Sequence, residues 1–251
     1  MSTLPIEDVV PSLRDALAAE PNVVLTAPPG SGKTTRVPLA LLDEPWLSNK
    51  KLLILEPRRL AARGAAHHMA ALLHEQVENT VGYRMRFETR VGPTTRIEVV
   101  TEGVLTRLLQ RDPSLNEYGI VVFDEFHERS LQADVGLTLC LETQRIFRRD
   151  LRMLVMSATL DCGPVRELLG RASAVTCEGR MFPVETRYLD EPVAGRLDLA
   201  VAQVIRQSLA KDAGSLLVFL PGMAEIRRLE RMLVDAKLGS SVVIAPLHGD
   251  L

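Results

Sequence analysis

Residues 23–35 read VVLTAPPGSGKTT. An apolar run, Val23–Thr26, leads into a Gly-rich turn, then into Lys33, Thr34 and a helical pattern. That is the order a phosphate loop requires. Gly30 and Gly32 let backbone N–H groups converge on phosphate oxygens with no Cβ in the way. A helix starting there adds the positive end of its dipole. Lys33 can reach the β and γ phosphates of a nucleotide, and the Thr34 hydroxyl can ligate Mg²⁺. The loop contacts are expected from Pro29, Gly30, Ser31, Gly32, Lys33, Thr34 and Thr35. Ala27 stands where the motif has its first Gly, and Pro28 and Pro29 follow it. Two fixed φ angles must therefore shape the turn.

Outward from this loop, short apolar runs alternate with amphipathic stretches. Leu52–Glu56, Ile97–Thr101, Ile120–Asp124 and Met153–Ser157 join Val23–Thr26 as expected strands. They are continuous and rich in Val, Ile and Leu, as parallel strands covered on both faces should be. The helices between them are expected to turn inward Leu60, Met69, Leu72 and Leu73; then Val104, Leu105, Leu108 and Leu109; then Leu131, Val135 and Leu139, with Ser130 as N-cap. Alternation at this spacing predicts an α/β fold with a parallel sheet. The composition shifts after Met156, and residues 170–196 are rich in Gly, Pro and polar turns. The pattern then restarts. A helix is expected on Leu197, Val201, Val204, Ile205 and Leu209. A strand over Leu216–Leu220, a helix on Ile226, Leu229 and Leu233, and a strand over Val242–Ala245 follow. A second α/β unit thus begins near residue 183, too short for a typical complete domain.

Residues 120–129 read IVVFDEFHER. A buried strand delivers Asp124 and Glu125 at its carboxyl end, where open α/β sheets bind their ligands. Asp124 suits Mg²⁺, and Glu125 suits polarisation of an attacking water. The alternative, a solvated acidic turn, loses weight beside a phosphate loop about ninety residues upstream. His127 and His248 complete no zinc pattern.

Composition narrows the classes. With 30 Lys and Arg against 32 Asp and Glu, the net charge is −2, so no basic footprint marks the whole chain. A nucleic acid would be gripped by a local stripe. The three cysteines, Cys140, Cys162 and Cys177, form no CxxC pair and read as reduced small apolar residues. No apolar run is long enough for a membrane span, and the acidic, Pro-interrupted N-terminus is no signal peptide. A cytoplasmic location is expected.

The segments GSGKTT, EPRR (56–59), TEG (101–103), DEFHER (124–129) and SAT (157–159) occur in the order and spacing of DEAH-box helicases of superfamily 2. LVFLPG (217–222) and LHG (247–249) look like the opening motifs of that family's second motor lobe. Phe126, where most members have Ala, and EPRRLAAR resemble the bacterial HrpB branch. The resemblance implies a RecA-like P-loop NTPase domain over residues 1–180 and an incomplete second RecA-like domain over 181–251. It implies an ATP-dependent RNA helicase motor using ATP, with other NTPs open, and Mg²⁺. Thr34 and Asp124 would hold the metal. Lys33, Asp124, Glu125 and His127 would form the catalytic set, with Glu125 as base and His127 as the link to the other lobe. Ser157 and Thr159 would couple hydrolysis to strand movement, and Arg58, Arg59 and Thr101 would touch the phosphate backbone of single-stranded nucleic acid, RNA before DNA.

For Arg58 and Arg59 the residues alone also fit a solvated helix start, although two cations there oppose the helix dipole. Counting along the family pattern puts His68 at the position that stacks on adenine; an exposed helix His beside His67 fits equally. The family's later motifs, including its arginine fingers, belong beyond Leu251. The resemblance therefore implies slow hydrolysis by this chain alone, and an exposed sheet edge inviting self-association. Two other functions stay open: a DNA translocase of the same superfamily, and a nucleotide-binding switch or scaffold without strand transport.

Overall fold

The five expected apolar runs become β1 (Asn22–Thr26), β2 (Lys51–Leu55), β5 (Ile97–Val100), β6 (Tyr118–Phe123) and β7 (Arg152–Ser157). Three further strands join them: β3 (Val81–Met85), β4 (Glu88–Arg90) and β8 (Ser173–Thr176). The eight-stranded sheet runs β4-β3-β5-β2-β6-β7-β1-β8. Every neighbouring pair is parallel except β3 with β4. The computed structural model describes residues 4–158, 162–179, 184–189, 193, 195–236, 238–239 and 241–247. It divides into two units, Met1–Phe182 and Pro183–Leu251.

Alternate side chains of each strand face opposite layers. Val23, Leu25, Leu52, Ile54, Ile120 and Val122 pack against helices α1 (Val10–Ala19), α2 (Lys33–Ala40) and α3 (Arg59–Leu72). Val24, Leu53, Leu55, Val121 and Phe123 pack against α4 (Glu102–Arg111) and α5 (Leu131–Ile146). Each such side chain, fully buried, contributes about 1.5–3 kcal/mol. A shorter helix, α6 (Gly163–Leu168), precedes β8. Cys140, Cys162 and Cys177 are all buried, and none is in a disulfide. Among the described residues no helix is long and apolar enough to cross a membrane.

Two expected helix faces need correction. Leu60 is 51% exposed, and α3 buries Ala62, Ala65, Ala66, Met69 and Ala70 instead. On α5 the expected stripe of Leu131, Val135 and Leu139 points outward, at 75%, 41% and 38% exposure. Its buried side is Ala133, Gly136, Leu137, Cys140 and Thr143. Close approach is the reason: a Cβ on Gly136 would lie 2.9 Å from Leu105 Cδ2. Small residues let α5 sit against α4, while hydrophobicity alone selects the larger residues on its far side. Ser130 does cap α5, its Oγ accepting from the Ala133 N–H at 2.9 Å.

Four strands share one buried acid. Glu98, on β5, is fully buried. It accepts from Arg84 Nε of β3 at 2.8 Å, Lys51 Nζ of β2 at 2.9 Å and the Tyr118 hydroxyl of β6 at 3.0 Å. Burial pushes its carboxyl upward, but the Arg84 and Lys51 hydrogen bonds hold it below the ordinary value. A lowered native pKa stabilises the fold above the unfolded value of 4.5 and loses that contribution as pH falls. Glu98→Gln is expected to cost about 3 kcal/mol at pH 7, because two cations lose a buried partner. The difference from wild type should shrink below about pH 4.5. Chemical denaturation at pH 7 and pH 4 checks this; an equal cost at both would sink it.

The second unit holds α7 (Leu197–Lys211) and α8 (Met223–Asp235), packed through Ala202, Ile205, Leu229 and Leu233. The strands expected over Leu216–Leu220 and Val242–Ala245 carry no ladder here. An extended run becomes a strand only beside a partner, and these runs are largely solvent-facing, with Leu217 at 68% and Phe219 at 86% exposure.

Candidate active site

Three neighbouring strands bring the loop residues together. β7 lies between β1 and β6, so the loop after β1 and the acidic residues after β6 flank Ser157. Ala27 donates its N–H to Ser157 O at 3.0 Å, which holds the start of the turn against β7. Gly30 and Gly32 take φ of +76° and +93°, a region glycine enters freely. Gly32 is also crowded: a Cβ there would meet Leu4 Cδ1 at 2.7 Å. The Pro28 ring is packed on Gly179, where a Cβ would come within 2.1 Å of Pro28 Cγ. Thus the turn that lacks its first Gly is shaped by two prolines and backed by a glycine from β8's exit. The N-terminal segment supports it from the other side through Ile6 N–H to Ser31 O at 3.3 Å.

Lys33 is 4% exposed and its Nζ lies 3.0 Å from Glu125 Oε1. The Thr34 hydroxyl donates to Asp124 Oδ2 at 2.5 Å. Asp124 is 4% exposed, and its other oxygen, Oδ1, accepts the Glu125 N–H at 2.8 Å. Burial pushes the Asp124 carboxyl above its ordinary value, against the hydrogen bond from Thr34. Glu56 lies beside it. Burial, then the nearby Asp124, push the Glu56 carboxyl up to about 9. Pro29 and Gly30 are exposed at the loop tip, Ser31 is buried, and Gly32, Thr34 and Thr35 are half-buried.

The acidic loop is held in an unusual shape. Glu125 and Arg129 take φ of 47° and 48°, on either side of a single helical turn at Phe126–Glu128. Non-glycine residues held there carry strain of the kind that collects at functional sites. Phe126 anchors the turn: its ring is 5% exposed and meets Phe123 edge-on at 6.1 Å, with the Arg129 guanidinium 5.5 Å from its centroid. His127 Nδ1 accepts the Ala158 N–H at 3.2 Å and lies 3.3 Å from Glu125 Oε2. One ring nitrogen cannot accept from Ala158 and donate to Glu125 together, so the two contacts need the ring proton in different places.

Of the residues expected to touch nucleic acid, Arg58 caps the start of α3 and is 71% exposed on its side chain. Its guanidinium pairs with Glu128, Nε to Oε2 at 3.1 Å and NH2 to Oε1 at 2.8 Å. Glu128 of the acidic loop thus supplies an anion beside Arg58 at this helix start. Arg59 is exposed, and Thr101 is the half-buried N-cap of α4. His68 is exposed on α3. Thr159 and His248 lie outside the described residues.

Hydrophobic patterning missed Glu56 and Glu128 as site residues, although EPRR and DEFHER contain them. Their meaning depends on strand neighbours. Among the described residues no group of three or more His, Cys, Asp or Glu side chains could hold a metal by itself. A phosphate-bound Mg²⁺ needs fewer: one carboxylate and one hydroxyl beside the nucleotide. The hard oxygens of Thr34 and Asp124 fit that demand.

The family model described as DEAD/DEAH box helicase matches residues 9–168. The chain belongs to the DEAD/DEAH box helicase family. The ATP-dependent RNA helicase HrpB of Escherichia coli is 53% identical over 251 residues, covering all of this chain and 31% of that protein. The pre-mRNA-splicing factor ATP-dependent RNA helicase prp22 of Schizosaccharomyces pombe is 34% identical, covering 99% of this chain and 22% of that protein. A crystal structure of the Escherichia coli DEAH/RHA helicase HrpB matches with a TM-score of 0.92 and 52% identity over 99% of this chain and 31% of that one. The chain thus spans under a third of the length of these relatives. Within the DEAD/DEAH box helicase family its first unit is a RecA-like α/β domain, and the family uses nucleotide.

Proposed function

We propose that this chain is the ATP-binding part of an ATP-dependent RNA helicase motor, with residues 1–180 as first RecA-like lobe and 181–251 as the start of a second. The observation that carries the proposal is the convergence of Lys33 on Glu125 at 3.0 Å and of Thr34 on Asp124 at 2.5 Å. Backbone N–H groups of Gly30, Ser31, Gly32, Lys33, Thr34 and Thr35 would bind the phosphates, with Pro29 setting the turn. Lys33 would leave Glu125 for the nucleotide, freeing that carboxylate to orient and deprotonate water. Thr34 and Asp124 would hold Mg²⁺, which when bound supplies charge stabilisation on the phosphate oxygens. His68 would lie on the base side of the nucleotide.

The same loop supports coupling. His127 Nδ1 can serve either the Ala158 N–H or Glu125, so one ring can exchange between the acidic loop and the end of β7 beside Ser157; Thr159 would act in the same coupling. Arg58, Arg59 and Thr101 would contact the phosphates of single-stranded RNA, and an RNA phosphate on Arg58 would compete with Glu128. Contacts of this type read backbone, so a DNA strand is the second substrate to test.

Calorimetric titration tests the proposal. One Mg·ADP per chain is expected, and a single-stranded RNA oligomer should change its affinity about fivefold or more. An equal effect of DNA would favour the translocase, and no effect of either strand would favour a nucleotide switch. Absence of nucleotide binding would end the proposal.

A further inference from the structure

The EPRR segment brings to this site one acid that the motor chemistry above does not use. Leu55 pairs with Phe123 in the ladder between β2 and β6, so Glu56 and Asp124 follow as lateral neighbours. Two backbone bonds fix them there: Asp124 N–H to Leu55 O at 3.0 Å, and Glu56 N–H to Val100 O at 2.9 Å. The Glu56 residue is 2% exposed, and its Oε2 has no hydrogen-bond partner among the described residues. The acidic side chains of Asp124, Glu125 and Glu128 lie close enough to disfavour its charge. The nearby cations are engaged elsewhere, Lys33 with Glu125 and Arg58 with Glu128.

A buried acceptor without a donor is costly, and such atoms in native structures ask for an explanation. Core packing does not explain this one, since an apolar side chain would fill the position without an orphaned oxygen. A donor arriving with the ligand does. Mg²⁺ held by one carboxylate and phosphate keeps several waters, and those waters offer only hydrogens outward.

Resting on the nucleotide-site assignment above, we propose that Glu56 is a positioning residue for Mg²⁺: it seats the Asp124 carboxylate, and its Oε2 accepts a hydrogen bond from a water in the ion's shell. Glu56 makes no direct bond to the ion in this arrangement. Its role is the outer-shell one of orienting a ligand and its water.

The test is a titration of Mn²⁺ into the ADP-loaded chain, read by electron paramagnetic resonance, for wild type, E56Q, E56M and E56A. ADP affinity in EDTA is measured beside it. E56Q keeps the side chain's place beside Asp124 and an acceptor for water, and should bind the ion within about threefold of wild type; E56M and E56A should weaken it about tenfold or more. ADP affinity in EDTA should stay unchanged in all of them. Ion affinity equal to wild type in E56M would overturn the proposal. So would a loss in E56Q as large as in E56M, since that marks a direct carboxylate ligand. E56M keeps the side-chain volume, so it carries the test where E56A does not fold, and a loss of about tenfold in E56Q overturns the role by itself. Wild type that binds no ADP in either condition would instead overturn the nucleotide-site assignment, and this role with it.

Discussion

Lys33→Ala is expected to weaken binding of Mg·ATP by about 100-fold, or about 2.7 kcal/mol. The Lys33 side chain is 4% exposed and its amine faces Glu125, with Asp124 close by. Removing it leaves Glu125 and Asp124 without the amine that faces them, at the point where a triphosphate adds further negative charge. Both effects push in one direction. The fold should persist, because Glu125 is 28% exposed on its side chain and can turn to solvent. Anisotropy of a labelled nucleotide measures the effect. An affinity within about threefold of wild type would show that Lys33 is only Glu125's structural partner.

Glu125→Gln should separate binding from chemistry. The amide keeps the shape of the carboxyl but cannot take a proton, so single-turnover hydrolysis should fall by about 10²–10⁴. Nucleotide affinity should be unchanged or higher, because Lys33 no longer has to leave a carboxylate. Quenched-flow measurement with ATP in deficit reads the chemical step directly. A rate within about threefold of wild type would assign proton removal to another group. The left-handed backbone at Glu125 adds a reason to expect the effect to be local. That geometry fixes where the side chain starts, and Phe126 pins the turn beyond it.

Lys33 and Glu125 are both legible in the sequence alone. VVLTAPPGSGKTT and IVVFDEFHER announce a strand followed by chemistry, because a buried parallel strand is continuous and its ligand-facing end is abruptly polar. The same logic located five of the eight strands. The three it passed over carry weak signals: VGYRM interleaves Gly and Arg, ETR is polar, and SAVT sits in a turn-rich stretch. The outward face of α5 misled for a related reason. Its contact with α4 needs Gly136 and Ala133, whose smallness counts for nothing on a hydrophobic scale.

The sequence by itself determined the five central strands and the helices between them, the phosphate-loop turn, and which acids end which strand. These follow from local rules: periodicity, glycine and proline geometry, and polarity at a strand's end. Only the tertiary structure decided that Lys33 meets Glu125, that Arg58 meets Glu128, that His127 reaches Ala158, and that Glu56 is buried beside Asp124. Those pairings join residues far apart in the chain. They depend on the lateral order of strands, which long-range packing sets and which no local window of sequence contains.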